Sequence, residues 1–195
     1  MKPAAPLFQS ALGEHWQQLP PCVQRLHSGE GVSSFSGRAD VTRGRGLLAG
    51  LAAWLLGLPR AGQAVPLTVA MTRTPRREQW ERNFAGRRLR SDLTPSPRPG
   101  HVRERFGLAN YELELPLQDA ALHFTVRRGW LVGIPMPSAL LPKSCTREFA
   151  LDGVFHFDVG LYAPLTGSLI VRYRGWLEPD AGDAGGMRGA ARNGE

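Results

Sequence analysis

Six polar side chains set among hydrophobic ones on strand-like segments, Glu78, Arg82, Glu104, Arg147, Glu148 and Asp158, are the residues best suited to recognise or transform a small molecule. A few charged groups in an apolar wall is how ligand cavities are commonly built, and Trp80 and Tyr173 would add aromatic surface. Period-two alternation puts Glu78, Trp80, Arg82 and Phe84 on one face of a strand. That mixture suits a cavity wall, or an outer face where Arg stems sandwich Trp80; the outer face is the commoner arrangement. As acid or base the candidates are Glu104 and Asp158. A carboxylate facing a cavity without an Arg partner favours chemistry, whereas one locked to Arg82 or Arg147 favours structure.

A second candidate is Arg43-Gly44-Arg45-Gly46, which precedes a leucine-rich segment. Gly44 and Gly46 would offer backbone N–H groups at a helix start, and Arg43 and Arg45 add charge that the helix dipole disfavours without a compensating anion. A bound carboxylate or phosphate would supply one; acidic side chains from the sheet, or water, are the alternative. His156 and Asp158 form an i, i+2 pair that reads as solvated rather than catalytic. The other four His side chains look incidental. The chain has no G-x-S-x-G, no paired-His motif and no C-x-x-C, so neither a metal nor a cofactor is expected.

These residues need elements to position them. Leu47, Leu48, Leu51, Leu55 and Leu58 recur at helical spacing within an uncharged stretch from Gly46 to Pro59, too short to span a bilayer. The spacing predicts a short apolar helix near the centre of the domain. Two helical segments precede it, Pro6 to about Leu19 and Pro20 to about Leu26, and a strand covers Val32 to Thr42.

From Val65 the pattern is strand after strand to Leu177, separated by turn residues such as Ala85-Gly86, Pro95 to Gly100, Gly107 to Asn110 and Asp152-Gly153. Connections this short imply antiparallel neighbours. The fold class is α+β: a strongly curved antiparallel β-meander, helix-grip or open-barrel, START-like or lipocalin-like, wrapped around the apolar helix. The stretch from Gly129 to Lys143, with three prolines, reads as a surface crossover or a lid.

One domain over 1–177 and a Gly/Ala-rich disordered tail over 178–195 account for all 195 residues. The net charge is +7 and the tail carries −2, so the body is basic. Ten Arg and four acidic residues between Arg73 and Arg105 alternate with apolar residues, as on a solvated strand face with cross-strand ion pairs. No basic helix or exposed stacking platform is legible, which disfavours nucleic acid. Cys22 and Cys145 lack metal-ligand spacing and read as reduced core thiols; nothing from Met1 to Trp16 resembles a signal peptide, so a cytoplasmic location is expected.

An ordered succession of short motifs then suggests a family. Arg43-Gly44-Arg45-Gly46, Glu78-x-Trp80-x-Arg82-x-Phe84-x-Gly86, Glu104-Arg105-Phe106-Gly107, Arg147-Glu148, Phe155-x-Phe157-Asp158-Val159 and Tyr173-x-Gly175-Trp176-Leu177 together resemble the bacterial domain-of-unknown-function family 4166. The likeness runs from Leu7 to Leu177. Members occur alone or fused behind saccharopine-dehydrogenase-like or epimerase-like NAD(P)-binding domains, which implies a separate NAD(P)-dependent oxidoreductase-type partner. This chain lacks G-x-G-x-x-G and is not expected to bind NAD itself.

The favoured function is a non-catalytic small-ligand-binding or accessory domain for a partly apolar anionic ligand, held by Arg43, Gly44, Arg45, Trp80, Arg82, Arg147 and Tyr173. A cavity-containing isomerase or cyclase using a buried carboxylate ranks second, and an electrostatic interaction module third.

Overall fold

The computed structural model describes residues 5–45, 50, 57–74 and 76–181. The apolar segment expected to form the central helix falls largely on 46–49 and 51–56, outside the described residues.

The chain begins with α1 (Leu7–Leu12), a 3-10 segment (Gly13–Gln18) and α2 (Pro21–Leu26). Pro21 occupies the first turn of α2, where its missing N–H costs no hydrogen bond. Twelve strands follow: β1 (Gly31–Arg43), β2 (Gly62–Thr74), β3 (Arg77–Phe84), β4 (Arg87–Pro95), β5 (His101–Phe106), β6 (Ala109–Glu114), β7 (Leu117–Gln118), β8 (Ala121–Leu131), β9 (Ile134–Pro135), β10 (Lys143–Leu151), β11 (Val154–Tyr162) and β12 (Leu169–Pro179).

Ten of these form a ring. Each strand pairs antiparallel with the next from β1 to β6, then β8, β10, β11 and β12, and β12 pairs back with β1 through Phe35 opposite Pro179 and Val41 opposite Tyr173. The bond between β8 and β10, with Thr146 opposite Phe124 and Glu148 opposite Leu122, completes it. The curved meander is as expected, but the sheet is closed rather than open. Closure removes the two edges that an open sheet would leave unpaired. The last strand also runs two residues beyond Leu177, because Glu178 and Pro179 extend the ladder with β1.

Alternation sends one set of side chains into the ring. Phe35, Leu67, Val69, Met71, Trp80, Phe84, Leu93, Val102, Leu122, Phe155, Phe157 and Val171 are buried there. The N-terminal segments close one end: Phe8, fully buried, packs on His27 with ring centroids 3.9 Å apart and on Phe124 at 6.1 Å. That end also holds the start of β1 and the end of β12, and is called the plugged end below. The β1–β2, β3–β4, β5–β6, β8–β10 and β11–β12 connections lie at the opposite end.

The outward set carries the charges. Arg77 and Arg105 both pair with Asp92, and Arg88 and Arg90 with Glu81, which is the cross-strand ladder expected of the Arg73–Arg105 run. The expectation of core thiols needs correction: Cys145 lies on the outward side of β10 and is exposed, while Cys22 is half-buried. Residues 129–131 continue β8 rather than breaking off as irregular chain, and a short β9 and a 3-10 turn at Ser138–Leu140 follow.

The seam between β1 and β12 depends on two glycines. A Cβ on Gly37 would stand 1.9 Å from the Trp176 carbonyl oxygen, and one on Gly175 1.9 Å from that of Arg38. Both obstacles are backbone, so neither can swing aside. Gly175→Ala is therefore expected to lower stability by about 1–3 kcal/mol, read as a shift of the urea midpoint at unchanged m-value.

Candidate functional site

Ten strands enclose more space than the inward side chains of the described residues fill. A cavity of about 330 Å³ lies inside the ring, with Leu26 and Leu93 towards the plugged end and Leu58, Ile170 and Pro164 towards the other. Its wall is largely Leu, Val and Phe, and into it project Trp80, Arg82, Glu104, Tyr111, Ser144, Thr146, Glu148 and Tyr173.

Strand parity and one small residue build the polar centre. Arg82 on β3 lies opposite Leu89 of β4, and Glu104 on β5 lies opposite Leu93 of the same strand. The two charged residues thus flank β4, about 10 Å apart at the backbone. Between them β4 carries Ser91, opposite Trp80, and its short side chain leaves the space Arg82 must cross. Arg82 Nη1 donates to Ser91 Oγ at 2.9 Å, Nη2 stands 3.6 Å from Glu104 Oε1, and the guanidinium lies 4.8 Å from the centre of the Trp80 ring. Arg82 is therefore fixed by three neighbours, none of which fully occupies it.

Glu104 is only loosely satisfied. Its Oε1 is buried and makes no hydrogen bond among the described residues, since the Arg82 contact is longer than one. Burial pushes its carboxyl up from the ordinary value of 4.5, an effect that Arg82 and Ser91 oppose but do not cancel. Tyr173 on β12 faces the same space, packing on Phe84 at 5.2 Å and Phe157 at 6.1 Å. Burial raises its phenol as well, with Arg82, Glu104 and Glu148 near enough to act on it.

The floor of the cavity is a second polar group. His27, the residue after α2, places Nε2 2.5 Å from Glu148 Oε2, with the ring against Phe8, and its centroid is 5.5 Å from that of Trp80. Arg73 of β2 donates to the Leu26 carbonyl and to Ser33, and stands 3.7 Å from Glu78, which accepts the Trp80 indole N–H at 3.1 Å. Two charged contacts therefore hold the end of α2 in the barrel. The expectation that His27 is incidental is thus corrected. Its position four residues after Val23 and next to Leu26, both buried, is the signal that places it on the apolar face of α2.

The remaining expected residues are placed elsewhere. Trp80, Arg82, Glu104 and Tyr173 share the cavity, but Arg147 and Asp158 point outward. Asp158 accepts from Arg172 at 2.8 and 2.6 Å and lies 3.9 Å from Arg147, contacts that hold its carboxyl below the usual range despite partial burial. Arg147 covers Phe149 at 4.9 Å. His156 stacks on Phe149 rather than meeting Asp158. Arg43 Nη1 donates to the Pro59 carbonyl at 3.0 Å, the Gly44 N–H donates to the Ile170 carbonyl at 3.0 Å, and Arg45 is exposed. Gly44 thus spends its N–H on the sheet; Gly46 lies outside the described residues. No group of three metal-ligating side chains occurs among the described residues, and no helix among them is long and apolar enough to cross a membrane.

A carboxyl with a raised folded pKa holds its proton more tightly in the native state than in the unfolded chain. Glu104 therefore favours folding at acid pH, and that contribution is lost as pH rises from 4.5 through the raised folded value. A urea-denaturation series over pH is expected to show this decline in the wild type and to lose it in Glu104→Gln; an unchanged slope in the variant would place the titration elsewhere.

No curated protein matches the chain. A family model, Domain of unknown function (DUF4166), matches residues 19–177, which takes in α2, β1 to β11, β12 as far as Leu177 and every side chain of the cavity described above, leaving α1 and the start of the plug outside it. The chain belongs to the DUF4166 family.

Proposed function

We propose that the barrel binds a small, partly apolar, anionic ligand in its lumen, as lipocalin-like proteins do, without transforming it. The observation that carries this reading is a cavity of about 330 Å³ with an apolar wall and one Arg anchored within it. That volume falls within the range of ligand sites, and one convergent polar cluster in an apolar wall fixes orientation while the wall supplies affinity. Arg82 is the anchor. Trp80 and Ser91 set its direction, and its partner Glu104 tends toward the protonated form, so a ligand anion meets a cation that is not fully neutralised. The Tyr173 hydroxyl and the free lone pairs of Glu104 suit a head group that carries a hydroxyl or a protonated oxygen beside its charge.

Buried Glu104 gives the enzymatic alternative its one support, because a carboxyl with a raised pKa at a cavity wall is suited to donate a proton. Its contact with Arg82 and the outward, doubly held Asp158 favour binding over isomerase or cyclase chemistry. The electrostatic-module reading loses ground for a similar reason: most of the outward Arg residues of β3–β5 already face carboxylates.

Titration with 1-anilinonaphthalene-8-sulfonate, an aromatic anion of suitable size, tests the reading by fluorescence. The expected outcome is a single saturable site. Arg82→Ala should weaken it on the order of tenfold or more, as loss of a charge-assisted contact of about 1.5–3 kcal/mol implies. Val159→Trp should abolish it by filling the lumen, while Glu104→Gln should leave it intact. Binding indifferent to both Arg82→Ala and Val159→Trp would put the probe on the outer surface and refute a luminal site.

A further inference from the structure

The two ends of the barrel differ in chemistry. Eight large hydrophobic side chains are exposed among the described residues, and six of them, Leu108, Leu131, Val132, Ile134, Leu140 and Leu165, belong to the turns and strand ends opposite the plug. Val32 and Leu151 are the two at the plugged end. Ladder contacts bring several of the six together: the Val132 N–H donates to the Leu108 carbonyl at 3.0 Å, and Leu131 pairs with Ile134.

The turns themselves show that these side chains are not incidental. Two of the turns at the plugged end, Asp119-Ala120 and Asp152-Gly153, each open on an Asp at φ +51°. Asp tolerates that left-handed conformation. Of the two-residue turns at the other end, Ala85-Gly86 and Gly107-Leu108 open on a small residue, whereas Val132-Gly133 opens on Val132, at φ +52° and 66% exposed. Leu165, at φ +65° and 78% exposed, repeats the pattern in the β11–β12 connection. A β-branched or bulky residue at positive φ is strained, and side chains this exposed gain little packing in return.

Acidic charge divides the same way. Among the described residues, the connections of this end (44–45, 57–61, 85–86, 107–108, 132–142 and 163–168) contain no Asp or Glu. Arg45 and Arg60 in the β1–β2 connection, and Arg87 and Lys143 at the strand ends, are cationic. The plugged end carries Glu14, Glu30, Asp119, Asp152 and Asp180 beside Arg25, Arg76, Arg77 and Arg98, so its charges are mixed while the other end's are of one sign. Exposed apolar tips set among cations, with carboxylates gathered at the far end, is the complement of an anionic phospholipid surface: apolar groups enter the headgroup region and cations meet the phosphates.

We infer that the end opposite the plug docks peripherally on an anionic lipid bilayer, with Leu108, Val132, Ile134 and Leu165 inserting and Arg45, Arg60, Arg87 and Lys143 at the phosphates. This goes beyond luminal ligand binding and does not need it. Docked in this orientation, the barrel presents the cavity end lined by Met136, Leu140 and Pro142 to the bilayer.

Co-sedimentation of the full chain with vesicles tests the inference, with no other ligand present, so its outcome is independent of the fluorescence titration. The protein should pellet with phosphatidylcholine vesicles containing phosphatidylglycerol in equal part, and not with phosphatidylcholine alone. Val132→Asp with Ile134→Asp should weaken binding on the order of tenfold or more, and Arg60→Glu on the order of fivefold or more. Both sites are exposed, so circular dichroism should show an unchanged fold. Val32→Asp with Leu151→Asp, at the plugged end, should bind as wild type does. Absence of partitioning, equal partitioning onto neutral vesicles, or equal loss from the plugged-end variant would overturn the inference. So would a dimer in sedimentation velocity that Val132→Asp with Ile134→Asp disperses while vesicle binding is absent, which would make this face a contact between copies of the chain.

Discussion

The hydrogen bonding of β12 to β1 is the constraint on which the rest of the structure depends. Once the last strand pairs with the first, and β8 with β10, ten strands share one closed circumference and the sheet has no free choice of curvature. A ring of eight strands can be filled by its own side chains; ten leave a surplus of space. The cavity follows from strand count, and its character from which side chains happen to point inward. Gly37 and Gly175 are the local cost of that seam, two positions where backbones approach too closely for any side chain.

Within the ring, a difference of one residue separates charge that faces solvent from charge that faces the lumen. On β3, Glu81 points out and joins Arg88 and Arg90 in solvent, while Arg82 points in and meets Glu104 across Ser91. On β10, Arg147 faces outward over Phe149 and Glu148 inward to His27. The exposed pairs contribute little because water screens them. The inward ones lack that screening, so burial pushes the Glu104 carboxyl up, and Glu148 is held by a hydrogen bond to His27.

Much of this was legible locally. Alternation in Phe155, Phe157, Val159 and in Glu78, Trp80, Arg82, Phe84 gave strand positions and shared faces, and short turns gave antiparallel order. What alternation does not carry is which of the two faces is inner. That depends on whether the sheet closes, and closure rests on pairings such as Val41 with Tyr173, far apart in sequence and unmarked by any local signal. Hence Trp80 and Arg82 could be set on one face but not assigned to the lumen, and Arg147 and Asp158 were grouped with residues from which parity divides them. His27 was missed for a related reason: its partner Glu148 is 121 positions away, and only its place on the apolar side of α2 hinted at burial.

The seam has a temporal side as well. Because β1 leads the barrel and β12 completes it, no intermediate length of nascent chain can shut the ring. Until the final strand is made, the inward faces of the earlier ones stay in contact with water and two strand edges stay unpaired, the condition in which β-proteins most readily associate wrongly. Helices that fold from local contacts and cover the apolar mouth early would shield part of that surface during synthesis. The N-terminal plug, which precedes every strand of the barrel in the chain and is anchored through Arg73 and Glu148, is placed to act as the barrel's own escort.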